Sequence, residues 1–170
     1  KTKIVPGVYS LLEQNVNMNT LRPVGVEDLL PRDPVVLDVD KIAGYLKGKC
    51  ILVTGAGGSI GSELCRQVMQ MKPATLILLG KGENSIYEIH RELAGVYGKE
   101  RLVPVIASVR DVERMAGIFD RYKPQVVFHA AAHKHVPLME AQPGEAVRNN
   151  VYGSWRTARL AGEKGVETFI

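Results

Sequence analysis

Residues 49–66 read KCILVTGAGGSIGSELCR, and this stretch decides the fold. It opens on Ile51-Leu52-Val53, an apolar run without polar alternation, which suits a strand buried on both faces of a parallel sheet. Glycines follow at Gly55, Gly58 and Gly61, and then a helical pattern that puts Ile60, Leu64, Val68 and Met71 on one face. Strand, glycine turn and helix together make the arrangement that receives the pyrophosphate of a dinucleotide. Gly55 would let the chain turn tightly off the strand. Gly58 would let backbone approach phosphate with no Cβ in the way, and Gly61 would let the helix pack closely on the sheet. The open N–H groups at the helix start, around Ser59, Ile60 and Gly61, would attract the anion.

The glycines are spaced GxxGxxG rather than GxGxxG. With Thr54 before them and Ser59-Ile60 among them, they resemble the motif of the short-chain dehydrogenase/reductase superfamily, in its extended, nucleotide-sugar-modifying branch. A glycine-rich turn with no ligand is the plain alternative, and the flanking strand and helix patterns argue against it.

The remaining chain supports an ordinary globular domain. It has 170 residues, 45% hydrophobic and 24% charged, enough for one domain with a core plus an extension. A net charge of +4, 6% aromatics and no basic run give no reason to expect nucleic acid as a partner. Cys50 and Cys65, the two cysteines, lack metal spacing and read as buried thiols of a reducing compartment rather than a disulfide. No apolar run is long enough to cross a bilayer and no signal peptide precedes the first residue, so a cytoplasmic location without direct membrane contact is expected. The chain starts at Lys1 and stops at Ile170 inside an apolar run, which suggests a piece of a longer protein.

Residues 1–47 read as a linker or N-terminal extension. Pro6, Gly7, Pro23, Gly25, Pro31 and Pro34 interrupt it; residues 26–30 suit one helical turn. Asp38 or Asp40 could cap a short helix running to about Leu46, with Ile42, Leu46 and Tyr45 inward. Residues 48–170 read as a dinucleotide-binding domain. Strands are expected at 51–53, 75–79, 102–106, 125–129 and 166–170. Helices are expected from Ile60 to Met71, over 83–96 with Ile86, Ile89, Leu93 and Val96 inward, over 112–122 with Met115, Ile118 and Phe119 inward, and over 145–164. A loop spans 130–143. This alternation implies an α/β, doubly wound parallel sheet of Rossmann type in the order 3-2-1-4-5. A ligand should lie at the strand C-termini, between strands one and four.

The strand tips carry the candidate site. Lys81, between Gly80 and Gly82, stands where NAD sites usually place a carboxylate for the ribose 2′-hydroxyl. A lysine there attracts a 2′-phosphate, so NADP is favoured over NAD; a solvated loop lysine is the alternative. Ser108 and Val109 end strand three, where a hydroxyl could bond adenine and a valine cover it. Ala130, Ala131 and Ala132 end strand four and leave room for backbone to lie against ribose and pyrophosphate. Lys134, just beyond, is a candidate for an anionic substrate or an ordinary surface lysine. His133 and His135 with Glu140 make a poor metal set, and no metal site is assigned.

Four motifs carry a closer resemblance: Asp28-Leu29-Leu30-Pro31-Arg32, VTGAGGSIGSELCRQ from Val53, HAAAHKHVPLME from His129, and NVYG from Asn150. From Glu27 onward the chain resembles the polysaccharide-biosynthesis branch of that superfamily, the nucleotide-sugar 4,6-dehydratases and related epimerases. The resemblance implies NADP or NAD as cofactor and a UDP-N-acetylhexosamine as substrate. The 4,6-dehydration proceeds by oxidation at C4, loss of water across C5 and C6, and return of hydride to C6. It implies that the side chain of Asn150 bonds backbone near strand four and that Ser108 replaces an aspartate usual in relatives. The family's catalytic residues fall after the fifth strand, so no catalytic residue is assigned here and the chain by itself is expected to be inactive. Long members carry membrane-spanning helices ahead of this region, which implies a parent anchored at the inner face of the cell membrane. A C4-epimerase and a non-enzymatic dinucleotide-sensing module remain as alternatives. An unpaired sheet edge leaves homo-oligomerisation open.

Overall fold

The computed structural model describes residues 3–4, 22–23 and 44–170. The chain divides into two compact units, Lys1–Asp38 and Val39–Ile170. In the first, β1 (Lys3–Ile4) pairs antiparallel with β2 (Arg22–Pro23). Two residues per strand are too few to leave a periodic signal, so a reading by pattern finds only an extension. The expected turn at 26–30, the caps Asp38 and Asp40, and Ile42 lie outside the described residues. Residues 44–46 are helical; Leu46 is buried, whereas Tyr45 is exposed rather than inward.

The second unit is a five-stranded parallel sheet. Its strands are β3 (Cys50–Thr54), β4 (Thr75–Gly80), β5 (Leu102–Ile106), β6 (Val126–His129) and β7 (Thr168–Phe169), in the order β5-β4-β3-β6-β7. Counted from β3, that is the expected 3-2-1-4-5. Ile51, Leu52, Val53, Leu76, Ile77, Leu78, Leu79, Val126 and Val127 are wholly inaccessible. They alternate between two cores. Ile51, Val53, Leu76, Leu78 and Val126 face α1 (Ser59–Gln70) and α2 (Glu83–Tyr97). Leu52, Ile77, Leu79 and Val127 face α3 (Val112–Tyr122) and the C-terminal helix. A strand covered on both sides needs apolar residues at every position, which is why these runs show no alternation. Truncating one such Leu to Ala would cost about 2–5 kcal/mol.

The helices differ from expectation at their ends. In α1 the buried positions are Gly61, Cys65, Val68 and Met69, with Leu64 and Met71 partly buried against the same core. Ile60 is 67% exposed, turned away from the sheet, while Gly61 beside it is buried. In α2, Ile86, Ile89 and Leu93 are buried but Val96, in the last turn, is 72% exposed. Met115, Ile118 and Phe119 of α3 face inward as expected. The stretch anticipated as loop contains α4 (Val136–Ala141), begun with Pro137 in its first turn, where a missing N–H costs nothing. The single helix anticipated over 145–164 is three pieces: α5 (Pro143–Ala146), a seven-residue π-helical stretch (Val147–Gly153) and α6 (Ser154–Glu163).

Both cysteines are free thiols. Cys65 is buried, and burial pushes its thiol up to about 12. Burial also raises Cys50, whose Sγ lies 3.3 Å from the Tyr122 carbonyl. On the surface, Arg66 forks onto Glu92 with Nε–Oε1 2.6 Å and Nη2–Oε2 2.9 Å, tying α1 to α2.

Candidate functional site

Four strand tips and one helix start converge at the C-terminal edge of the sheet. β3 ends at Thr54, and Gly55 turns the chain with φ +67. A Cβ on Gly55 would lie 2.6 Å from the Ala130 carbonyl oxygen, so the turn is pressed against the tip of β6. The Ala56 N–H donates to Leu79 O at 3.0 Å, which seats the turn against β4 as well. A Cβ on Gly61 would stand 2.0 Å from Gly55 O; only glycine lets α1 start this close to the strand. Gly57 is equally constrained, its added Cβ 2.4 Å from Ser85 Oγ. Gly58 differs. Its Cβ would meet only Gly55 O, at 3.2 Å, and its other side is open.

Gly58 caps α1 with backbone alone; no side chain satisfies the amides of the first turn, and no carboxylate stands in it. Those N–H groups point to the cleft with the positive end of the helix dipole behind them. Lys134 Nζ donates to Ser59 Oγ at 3.4 Å, across the mouth. An ammonium at a helix N-terminus is at the unfavourable end of the dipole. An anion seated between the two converts that repulsion into two attractions.

The groove runs on from there. One cleft of about 280 Å³ lies over the glycine turn, Gly80, Lys81, Ser108, Val109 and the alanines 130–132. A second adjoins it through Gly58, Ala130 and Ala132 and reaches Ile60, Lys134 and Leu138. Ser108 Oγ accepts from the Arg110 N–H at 3.2 Å, which leaves the hydroxyl proton free to donate into the groove. Asn150 holds the loop after β6 from behind: His133 N–H donates to its Oδ1 and its Nδ2 donates to His133 O, both at 2.8 Å. Asn149, buried, donates to Asn150 Oδ1 at 3.0 Å and to Ala131 O at 3.4 Å. Beneath the turn, His129 joins three elements. Thr54 Oγ1 is 2.8 Å from Nδ1, Ser154 Oγ is 2.9 Å from Nε2, and the ring stacks on Phe169 at 5.7 Å. Burial holds its pKa below the usual histidine value.

The profile of the polysaccharide biosynthesis protein family matches residues 51–170. The chain belongs to that family. It is 52% identical over 167 residues to the capsular polysaccharide biosynthesis protein CapD of Staphylococcus aureus, an alignment covering 98% of this chain and 28% of that protein. It is 32% identical over 123 residues to a UDP-N-acetylglucosamine 4,6-dehydratase (inverting) of Campylobacter jejuni, covering 72% of this chain and 35% of that one. Among solved structures, the UDP-glucose-4-epimerase of Stenotrophomonas maltophila, with bound NAD and formylated UDP-arabinopyranose, superposes with a TM-score of 0.64 at 27% identity. That match covers 71% of this chain and 35% of the epimerase. The chain thus spans under a third of the length of curated relatives it matches, 28% of each of two.

Gly55, Gly58, Ser59, Ile60, Gly61, Lys81, Ser108, Val109, Ala130, Ala131, Ala132 and Lys134 all line the two clefts. Asn150 does not; its amide works through the His133 backbone. Gly57, Ser85 and Asn149 line the groove and were not anticipated. Asn149 had a signal, a second helix-interior asparagine with low helix propensity. Ser85 had none. Gly153 packs closely on the groove wall, its added Cβ 3.0 Å from Val109 Cγ2. Among the described residues no three His, Cys, Asp or Glu side chains gather as a metal set, and no helix is long and apolar enough to cross a membrane.

Proposed function

We propose that this groove binds NADP, in preference to NAD, and that the chain is the cofactor-binding portion of a UDP-N-acetylhexosamine 4,6-dehydratase of bacterial surface-polysaccharide assembly. The observation that carries the reading is the uncapped start of α1 in its glycine cradle, faced by Lys134. The residues present fit a dinucleotide: a Cβ at Gly55, Gly57 or Gly61 would strike protein, whereas one at Gly58 would intrude on the open groove. The amides of Ser59, Ile60 and Gly61 would hold the pyrophosphate. Ser108 and Val109 would flank the adenine, and Lys81 would meet a 2′-phosphate. Among the described residues no carboxylate lines the groove to prefer a free 2′-hydroxyl. Ala130–Ala132 would lie along the second ribose, and Lys134 would receive the diphosphate of an arriving UDP-sugar. When bound, the nicotinamide supplies a reversible hydride acceptor, which a 4,6-dehydration requires. Membrane anchorage of the whole protein belongs to the same proposal and rests on the resemblance to long family members.

Titration with NADP and with NAD tests this. Lys81→Ala should weaken NADP about tenfold, ~1.4 kcal/mol, and leave NAD within about twofold. Equal loss for both removes Lys81 from the 2′-phosphate, and absence of uptake of either cofactor removes the reading altogether. A 4-epimerase is the second reading, favoured by the epimerase among the structural neighbours. Product analysis of the full-length protein, a 4-keto-6-deoxy sugar against a C4 epimer, separates the two.

A further inference from the structure

A cavity of about 350 Å³, distinct from the groove, is lined by Arg110, Arg148, Tyr152 and Arg156. Arg110 comes from the turn after β5. The other three are four residues apart along the π-helical stretch and α6. Glu145 Oε2 accepts from Arg110 Nη1 at 2.6 Å, and Oε1 accepts from Arg148 Nη1 at 3.4 Å. The Arg110 guanidinium beside it holds the Glu145 carboxyl below the usual carboxylate range, so the pin is charged at neutral pH. It sets two guanidinium groups side by side and uses one donor of each, while each arginine has five N–H donors. Arg156 meets no carboxylate among the described residues; its guanidinium carbon lies 5.9 Å from the Tyr152 ring. The cavity therefore carries two positive charges in excess and many unused donors.

We propose that these residues form a second anion site, which takes a small molecule bearing a phosphate or diphosphate. Arg148 and Arg156, eight residues apart, meet Arg110 around one cavity, and guanidinium groups gathered there repel one another until an anion joins them. Arginine rather than lysine at all three positions suits bidentate recognition of phosphate oxygens. The π-helical turn is an unusual conformation often found at functional sites. Here it turns Asn149 and Asn150 toward the groove while Arg148 and Tyr152 line the cavity. Buried Val109, packed against Gly153, belongs to the groove wall and not to this cavity, so the two sites share no lining residue. This site stands whether or not the groove binds NADP.

The test is a titration of the nitrogen-15-labelled chain with inorganic diphosphate at fixed ionic strength, followed by NMR. Saturable shifts are expected at the amides of Arg110, Arg148, Tyr152 and Arg156. Arg156→Gln should weaken this binding about tenfold, and R148Q/R156Q should abolish it with the folded spectrum intact. Any shifts at Gly57–Gly61, from diphosphate in the groove, should persist in both variants. Uridine 5′-diphosphate as a second probe assigns the source: tighter binding points to a nucleotide, equal binding to the free anion. Shifts confined to Gly57–Gly61, shifts reproduced by matched chloride, or shifts unchanged in R148Q/R156Q overturn the proposal. So do shifts that follow protein concentration without any anion, which would make the face a contact between copies.

Discussion

Helices α1 and α3 start at the same edge of the same sheet, each directly after a parallel strand, and their first turns are finished in opposite ways. Asp111 closes α3 with its own side chain: Oδ1 accepts from the Arg114 N–H at 3.0 Å, and Glu113 adds a negative charge to the first turn. Gly58 leaves α1 open, with neither a capping side chain nor an acidic residue. Between them α2 has a glycine cap but carries Glu83 in its first turn. Helix α3 supplies its own anion. A helix left without one, in a cradle where three glycines already touch protein, is built for an anion from outside.

The largest test of that contrast is Gly61→Ala. The new Cβ would lie 2.0 Å from Gly55 O, backbone against backbone, so neither side can yield cheaply. We expect a loss of about 3 kcal/mol or more in unfolding free energy, or failure to fold. A normal denaturation midpoint for this variant would show that the cradle is looser than its geometry indicates. Gly58→Asp comes next and acts on affinity. Gly58 has extended backbone, φ −81 and ψ 169, which a capping aspartate adopts, and its Cβ would press on Gly55 O at 3.2 Å. The variant gives α1 what α3 already has. Its stability should stay within about 1 kcal/mol, the new cap offsetting that tight contact, while dinucleotide affinity should fall at least about a hundredfold, ~2.7 kcal/mol, through repulsion of the pyrophosphate. Unchanged affinity by titration would mean that the first turn of α1 does not carry the phosphates.

The parts of this edge that could be read in advance are those fixed by burial or by close backbone approach. Strands such as Ile51–Val53 and Leu76–Leu79 announce themselves because both faces are covered, and Gly55 and Gly61 because nothing larger fits. Ile60 reads as a core residue by spacing, but it lies on the cleft side of the first turn, where Gly61 takes the side against the sheet. Val96, in the last turn of α2, is exposed as well. The π-helical stretch left no mark, because widening a helix by one residue per turn changes hydrogen bonding and not composition. It is nonetheless what carries Asn149 and Asn150 into reach of Ala131 and His133. Gly57 was hidden by its partner: the atom it must avoid, Ser85 Oγ, lies on the next helix, 28 positions away in no repeating pattern.

Asp111→Ala offers a smaller effect and a control. Removing the cap should cost about 1 kcal/mol by thermal or urea unfolding. Dinucleotide affinity should stay within about twofold, since α3 begins with its own donors occupied. A comparable loss of affinity would make the two helix starts equivalent and erase the distinction between them.

The smallest effect belongs to His129, which lies under the open turn through Thr54. Burial depresses its folded pKa below the value of about 6.5 expected for an unfolded histidine. The unfolded chain therefore takes up the proton first. The stabilisation is present above about pH 6.5 and is lost as pH falls through the folded pKa. Between pH 7 and 5.5 the urea midpoint of the wild-type chain should decline, and His129→Gln should flatten that decline. The depressed carboxylates, Glu63, Glu92, Glu145 and Glu167, titrate below this window. Parallel curves for the two proteins would assign the decline elsewhere. The effect is small for a structural reason. Both ring nitrogens face hydroxyls, Thr54 Oγ1 and Ser154 Oγ, and a hydroxyl that donates to a neutral ring can rotate to accept from a charged one. Protonation breaks no hydrogen bond there, and what remains is the cost of placing a charge in a half-buried position beside Phe169.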